Sequence, residues 1–280
     1  MDDFKAASMQ AWSAVAPDWG ELIARVDRQL EPAVDWMIEA ADPQPGETVL
    51  ELAGGPGTVS LIAARRVGES GRVIHTDFSA AMVDTARARI AAEAEHQNIE
   101  SRVMDAEAID LPDRSVDVVL CRMGYMLMGD PGKAIAESAR VLKAGGRLAL
   151  AVWDDDDANP WATVPMRAVM EHLGAPPPPP DAPTLWSLAD PDRLTRLLSD
   201  AGLTAVQTTT LDGHVEYESA EEVVELIGRL AGPAKALIGS LEPAARQAIA
   251  ERVDRETAAY RHDGRLLLPE RIRVASAHRA

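Results

Sequence analysis

The chain contains one cysteine, Cys121, among 280 residues, so it cannot form an internal disulfide. A reducing compartment fits this cysteine usage best. Cys121 lies in an apolar, strand-like run, which favours a place in the core or a site wall over a nucleophilic role. The N-terminal sequence lacks the basic and then apolar layout of a signal peptide, and no apolar run approaches the ~18 residues of a membrane helix. We therefore expect a cytoplasmic protein with no membrane partner.

Basic residues are scarce, with 28 Lys and Arg against 45 Asp and Glu and a net charge of −17. Sequence-independent binding of nucleic acid and docking on anionic membranes both rest on Lys and Arg, so both are disfavoured. A neutral or cationic small molecule is the simpler partner. The six histidines lie far apart, without the HExxH or CxxC spacing of metal sites, and we predict no metal. A GxSxG elbow and a Walker lysine loop are missing too.

The sequence does have 46% hydrophobic residues, which is enough for a packed core. In residues 6–40 the apolar positions recur at helical spacing, and Pro17 and Pro32 predict breaks, giving two or three helices. Trp12 and Trp19 flank the first break. They could pack on the core or form an aromatic lid over a ligand.

Strand and helix patterns alternate regularly between residues 46 and 153. The predicted strands cover residues 48–53, 72–76, 100–104, 116–121 and 146–153, and the predicted helices cover 58–67, 80–94 and 131–142. Such alternation implies a mostly parallel sheet with helices on both faces. In such sheets, ligands bind beyond the carboxyl ends of the strands.

The second half of the chain has a less regular pattern. We expect a solvated acidic loop at 154–157, a polyproline surface loop at 176–180, helices at 190–201, 220–230 and 243–260, and strands at 204–211 and 266–277. Pro269 near the start of the last strand favours an edge position. The predicted regions are a helical lid (1–45), a cofactor-binding core (46–153), substrate-side segments (154–218), a helical insertion (219–262) and a final edge strand (263–280).

Residues 49–58, VLELAGGPGT, form the most informative segment. An apolar strand ends at an acidic residue and passes through a glycine-dense turn into a helix. This construction brings the backbone close to a ligand at a helix N-terminus, and glycine permits the close approach. An ordinary strand–helix turn that binds nothing is the alternative.

Two carboxylates follow later predicted strands. Asp77 comes twenty residues after Gly57 and could accept hydrogen bonds from both hydroxyls of a ribose, or cap the next helix. Asp105 follows the third strand and could accept from the exocyclic amine of a purine. Residues 121–124 end the fourth strand, where cofactor and substrate would meet.

Together these segments resemble the class I S-adenosylmethionine-dependent methyltransferases, and most closely the branch with the quinone-biosynthesis C-methyltransferases and many small-molecule methyltransferases. The residues that carry the resemblance are Asp77, Phe78, Ser79 and Met82, then Asp105, Ala106, Leu111 and Pro112, and finally residues 140–147. The resemblance implies an α/β fold with a doubly wound, seven-stranded, mostly parallel Rossmann-like sheet. It also implies the cofactor S-adenosylmethionine and the product S-adenosylhomocysteine.

The resemblance further implies roles for ten residues. The loop beside the methionine moiety and ribose would be Glu51, Ala53, Gly55 and Gly57; the ribose ligand Asp77; the adenine contacts Phe78, Met82, Asp105 and Ala106; and the methionine-end residue Arg122. The family commonly has Asp at the position of Glu51 and Gly at that of Ala53. Pro56 removes one N–H from the loop.

The implied reaction is transfer of the methyl group to an O, N or C nucleophile of a small, hydrophobic or aromatic metabolite. Because the sulfonium is already activated, positioning and exclusion of water would suffice. Catalytic residues are therefore poorly marked. Weak candidates are His214, His172 and Tyr125, with Tyr217, Tyr260 and residues 154–157 as further possible bases. A cyclase or decarboxylase that binds the same cofactor, and an NAD(P)-dependent oxidoreductase, remain alternatives. A homodimer is slightly favoured.

Overall fold

A computed structural model describes residues 2–93, 98–176 and 182–280 of the chain. The predicted polyproline loop lies, apart from Pro176, outside the described residues. Within the described part, no helix has the length and apolarity needed to cross a membrane.

A single mixed sheet organises the fold. Its strands are β1 (Thr48–Glu51), β2 (Arg72–Asp77), β3 (Ile99–Val103), β4 (Val116–Arg122), β5 (Leu142–Trp153), β6 (Leu203–Tyr217), β7 (Arg261–His262) and β8 (Arg265–Arg279). The order is β3-β2-β1-β4-β5-β8-β6, with β1 to β5 parallel and β8 antiparallel to both neighbours. The two-residue β7 pairs only with β8. The predicted doubly wound, seven-stranded sheet is therefore confirmed, with β7 as a small addition.

Nine α-helices accompany the sheet in the described ranges. They are α1 (Asp2–Ala41), α2 (Thr58–Val67), α3 (Ala80–Ala92), α4 (Pro131–Val141), α5 (Pro160–His172), α6 (Pro191–Asp200), α7 (Ala220–Leu230), α8 (Gly232–Gly239) and α9 (Pro243–Glu256). Helices α7 to α9 lie between β6 and β7, in the segment expected to be an insertion. The division of the chain into five regions remains a prediction.

The N-terminal segment is one helix of 40 residues, so the prediction of two or three helices is wrong. Pro17 and Pro32 lie inside α1, and each removes one backbone hydrogen bond. Both prolines are on the exposed side of the helix. The opposite side buries apolar residues such as Val26 and Met37 in the main core. This packing offsets the cost of the two prolines.

The prediction that the last strand lies at the edge of the sheet is wrong. β8 lies between β5 and β6, and β6 is the edge. Pro269 is tolerated because β8 pairs with β5 only from Ile272 to His278, so Pro269 faces β6 alone. The pairing of β6 with β8 continues to Tyr217 opposite Leu266. The two strands therefore extend beyond β5 as an antiparallel ribbon, in which β6 continues six residues past its predicted end at residue 211.

Two hydrophobic clusters position the site. The larger one surrounds the central strands and includes the buried face of α1. The second joins α5, the β6–β8 ribbon and the inserted helices, with Val169, Val215, Val223, Val253 and Leu268 at its centre. The inserted helices are thus packed against the carboxyl end of the sheet, on the side where ligands of such sheets bind.

Candidate functional site

The glycine loop follows β1 and is folded tightly against β2. Ala53, Gly55 and Gly57 all have positive φ (50°, 51° and 84°), a conformation that costs little for glycine and more for alanine. At Gly54 the constraint is space: an added Cβ would lie 2.5 Å from Cδ2 of His75. The Nε2 atom of His75 in turn lies 3.0 Å from the Gly55 carbonyl oxygen, and burial lowers the pKa of His75 to about 4.

Asp77 is held by backbone N–H groups at the end of β2. Its Oδ2 accepts from the N–H of Gly55 at 3.0 Å, and its Oδ1 accepts from the N–H of Ser79 at 2.9 Å. Burial raises the pKa of Asp77 to about 6, and these two hydrogen bonds oppose the rise. Ser79, not Asp77, caps α3, because its hydroxyl accepts from the N–H of Met82. The carboxylate is thus oriented but does not serve as the cap.

A cavity opens at the carboxyl ends of β1, β2 and β4. It encloses about 1720 Å³ of space not filled by atoms, including the part open to solvent. The predicted site residues that line it are Ala53, Gly55, Asp77, Phe78, Met82, Asp105, Ala106 and Arg122, together with Trp12 and Trp19. The structure therefore brings together eight of the ten predicted cofactor residues and both lid tryptophans.

Glu51 and Gly57 are the two predicted residues that do not line the cavity. Glu51 is buried under the loop, where its carboxylate accepts from the N–H of Ser60 at 2.9 Å and from the Ser60 hydroxyl. Burial raises the pKa of Glu51 to about 7. Gly57 faces α3, since an added Cβ would lie 3.4 Å from Cβ of Ala86. Both residues support the loop and the start of α2 from the side that faces away from the cavity.

Helix α1 lines the cavity and is tied to the other walls by polar contacts. Nζ of Lys5 lies 2.6 Å from Oδ2 of Asp105 and 2.9 Å from Oε2 of Glu107. About two turns of helix further on, the hydroxyls of Ser13 and Ser79 are 2.8 Å apart. The carboxylate predicted to meet a purine amine is thus already paired with a lysine of the helix that covers it.

Trp12 and Trp19, the two tryptophans predicted to form a lid, lie on the same helix. Their rings pack edge to face, with centroids 6.4 Å apart, and the indole N–H of Trp19 donates to the carbonyl oxygen of Leu230 at 2.8 Å. Trp12 and Trp19 therefore connect the cavity wall to the inserted helices. The predicted break between them, at Pro17, does not occur.

Arg122, at the end of β4, is buried beside an aspartate that sequence reasoning missed. Its Nη1 lies 3.5 Å from Oδ1 of Asp27, a residue of α1. Asp27 also binds Nη2 of Arg89 at 3.0 Å and accepts from the Thr58 hydroxyl at 2.7 Å. Burial lowers the pKa of Arg122, and the charge of Asp27 opposes this. The contact could not be predicted from the sequence, because a single Asp in a helical pattern is usually exposed.

The weak catalytic candidates Tyr125, His172 and His214 do not line the cavity. Tyr125 is fully buried behind the cavity wall, with its hydroxyl 2.6 Å from that of Ser138. His172 and His214 are exposed and do not line the cavity. Asp154, the first residue of the predicted acidic loop, is instead buried in an ion pair with Arg273.

Tyr260 and Cys121 also lie off the cavity. Tyr260 is exposed at 38% on the surface. Cys121 is buried in β4, and burial raises the pKa of its thiol to about 12. A thiol so hard to ionise is a poor nucleophile at neutral pH, which agrees with its expected place in the core.

The far end of the cavity is apolar, with Met126, Leu127, Trp153, Trp161, Met166 and Leu226 among its walls. Arg25, Gln29 and Tyr217 add the polar groups there. The sequence analysis gives Tyr217 only as a further possible base, and it does not identify Gln29 as a site residue. Tyr217 belongs to the part of β6 that the sequence pattern does not reveal, and Gln29 is one polar residue on a long helix.

The central part of the chain matches a known family. Residues 49–146 match the family described as methyltransferase domain. This stretch is a methyltransferase domain. Over 111 residues the chain is 39% identical to the ubiquinone/menaquinone biosynthesis C-methyltransferase UbiE of Hydrogenovibrio crunogenus, covering 40% of this chain and 44% of that protein. The resemblance predicted from the sequence is confirmed. The chain nevertheless spans less than half the length of this curated relative.

Solved structures share the fold over most of the chain. YcgJ from Bacillus subtilis has a TM-score of 0.60 at 20% identity, covering 89% of this chain and 98% of that one. Geranyl diphosphate C-methyltransferase from Streptomyces coelicolor A3(2) has a TM-score of 0.53 at 19% identity, covering 92% and 84%. The methyltransferase domain carries the glycine loop, Asp77, Asp105 and Arg122. Helix α1, the ribbon and the inserted helices lie outside the matched residues.

Proposed function

We propose that this protein transfers a methyl group from S-adenosylmethionine to a small, apolar acceptor. One observation carries the proposal: the carboxylate of Asp77 and an apolar chamber lined by Trp153, Trp161 and Met166 belong to the same cavity. A cofactor anchored at Asp77 would extend toward that chamber. The methyltransferase domain and the shared fold support the same reaction.

The adenosine end of the cofactor would lie between the loop and Asp105. Asp77, oriented by two N–H groups, has lone pairs left to accept from both ribose hydroxyls. Phe78 and Met82 would pack on the adenine, next to the backbone of Ala106. Asp105 would accept from the adenine amine, and it would have to share its carboxylate with Lys5 or release it.

The methionine end of the cofactor would lie near Arg122. A carboxylate suits its guanidinium, and an ammonium suits the neighbouring Asp27, which lies 3.5 Å from Arg122. Ala53 and Gly55 line the cavity between this pair and Asp77. Asp105, Asp77 and the Arg122–Asp27 pair would thus meet the adenine, the ribose and the methionine end of the cofactor in that order.

The cofactor, when bound, supplies an activated methyl group on a sulfonium. The protein's residues need to hold the acceptor in line with that methyl group and keep water out. Trp12, Trp19, Met123 and Met126 line the cavity and could exclude water from it. None of these steps requires a general base, which agrees with the positions of His172 and His214 outside the cavity.

A titration with S-adenosylhomocysteine tests the cofactor assignment. The variant Asp77→Ala removes a charge-assisted acceptor, which is worth roughly 1.5–3 kcal/mol, so its Kd should rise about 10- to 100-fold. Asp84→Ala is the matched control, because this carboxylate lies in α3, is 71% exposed and does not line the cavity. Unchanged affinity in Asp77→Ala would contradict the ribose assignment.

Two further measurements separate the alternatives. Binding of NADH without binding of S-adenosylhomocysteine would favour an oxidoreductase. Turnover of a substrate without release of S-adenosylhomocysteine would favour a cyclase or decarboxylase. The predicted homodimer is tested by light scattering of the purified chain, and the predicted cytoplasmic location by fractionation of cells.

A further inference from the structure

The apolar end of the cavity contains one free hydroxyl. Tyr217 lies in the β6–β8 ribbon, is only 4% exposed and lines the cavity. Among the described residues its hydroxyl makes no hydrogen bond, and this oxygen is open to the cavity rather than sealed in the core. The hydroxyl of a tyrosine whose ring is buried normally has a hydrogen-bond partner. A ligand in the cavity could supply that partner to Tyr217.

Tyr217 acts as a donor in this position. Burial raises the pKa of its hydroxyl, which therefore stays protonated at neutral pH. The guanidinium of Arg25 lies over the ring, 5.2 Å from the centroid, and fixes its orientation. Arg25 is itself held by Glu222 at 3.0 Å and by the carbonyl oxygen of Glu216 at 2.6 Å.

Gln29 adds an acceptor at the same end. Its Nε2 donates to Oε2 of Glu270 at 2.7 Å, and its amide oxygen makes no hydrogen bond within the described part of the chain. Glu270 is buried, and burial raises its pKa to about 7. The chamber therefore offers a donor from Tyr217 and an acceptor from Gln29, in surroundings of Met, Trp and Leu side chains.

The cations that line the cavity are already paired. Besides Arg25, these are Lys5, which pairs with Asp105, and Arg122, which pairs with Asp27. A carboxylate or phosphate of an acceptor would have to break one of these pairs or enter apolar surroundings without a counter-ion, and both are costly. The charge pattern thus disfavours an anionic acceptor.

We propose that the methyl acceptor is an uncharged, apolar molecule with a hydroxyl or phenol oxygen that accepts a hydrogen bond from Tyr217. This inference rests on the proposed function for the role of acceptor, and it adds the chemical class and the residue that selects it. Tyr217 is a binding residue in this proposal, and Arg25 positions it.

Binding of three probes tests the proposal: 4-hexylphenol, hexylbenzene and 4-hexylbenzoate, which differ only in the group at one end. Each is titrated into the full chain with and without S-adenosylhomocysteine, and the quenching of tryptophan fluorescence is followed. Trp12, Trp19, Trp153 and Trp161 line the cavity and supply the signal. The variant is Tyr217→Phe, and the matched control is Tyr260→Phe on the exposed surface.

We expect the phenol to bind the wild type roughly three- to tenfold more tightly than hexylbenzene, the range of one neutral hydrogen bond. Tyr217→Phe should abolish this preference, and Tyr260→Phe should keep it. A phenol preference that survives in Tyr217→Phe, no preference in the wild type, or tightest binding of the benzoate would each overturn the proposal. If the phenol preference holds but S-adenosylhomocysteine does not bind, the proposed function fails while the selectivity of Tyr217 stands.

Discussion

The affinity for S-adenosylhomocysteine should depend on pH through Asp77. Burial raises the pKa of this carboxyl from 3.8 to about 6. Only the ionised form can accept from both ribose hydroxyls, so protonation removes the binding-competent state. Affinity should therefore fall as the pH drops through about 6. The nearby His75 stays neutral in this range, because its pKa is lowered to about 4.

The size of the effect follows from the ionised fraction of Asp77. With a pKa of about 6, about 97% of the carboxyl is ionised at pH 7.5 and about 9% at pH 5, so the apparent Kd should rise about tenfold. With the ordinary pKa of 3.8, the change over the same range would be less than about 10%. The two cases differ far beyond the error of a titration.

Isothermal titration with S-adenosylhomocysteine at pH 7.5, 6.5, 6 and 5 measures the profile. Asp77→Asn should bind weakly at every pH and show a flat profile. Glu51, with a pKa of about 7, titrates nearby but does not line the cavity, so Glu51→Gln should keep the transition near pH 6. A wild-type Kd that stays within twofold down to pH 5, in a chain that is still folded by circular dichroism, would refute the argument.

Two substitutions test the packing that supports the site. Gly54→Ala puts a Cβ 2.5 Å from the ring of His75 and should destabilise the protein by about 1–3 kcal/mol and weaken cofactor binding, whereas Gly239→Ala, with no atom within 4 Å, should do neither. Arg273→Met leaves the buried carboxylate of Asp154 unpaired and should cost about 3–5 kcal/mol in urea unfolding, with the affinity for S-adenosylhomocysteine unchanged. Unfolding midpoints equal to that of the wild type would contradict either argument.

The cofactor half of the site could be predicted from the sequence because its geometry is local. The loop that contains Gly55 follows directly on a strand and precedes a helix, and Asp77 stands at the end of the next strand in space as well as in sequence. Parallel strands bring these ends together without further information. Glu51 shows the limit of such reasoning: its position was predicted, but its side chain points under the loop instead of into the cavity.

The acceptor half could not be predicted because its positions depend on long-range pairing. Tyr217 reaches the cavity only because β6 follows β8 past the end of β5, and the sequence of β6 alone does not determine that length. Gln29 and Asp27 are polar residues in a helical pattern, where an exposed position is the usual expectation. The catalytic candidates His172 and His214 were chosen by residue type alone, and residue type does not determine burial.

The continuity of α1 links the two halves. Lys5, Trp12 and Trp19 fall on one stripe with seven-residue spacing, Gln29 follows ten residues later, and all four line the cavity. Over these 24 positions an α-helix rises about 36 Å, which extends from the adenine end to the acceptor end. A break at Pro17 would have allowed the two ends to open separately. Because α1 is one helix, the wall beside Lys5 and the wall beside Gln29 belong to one structural element.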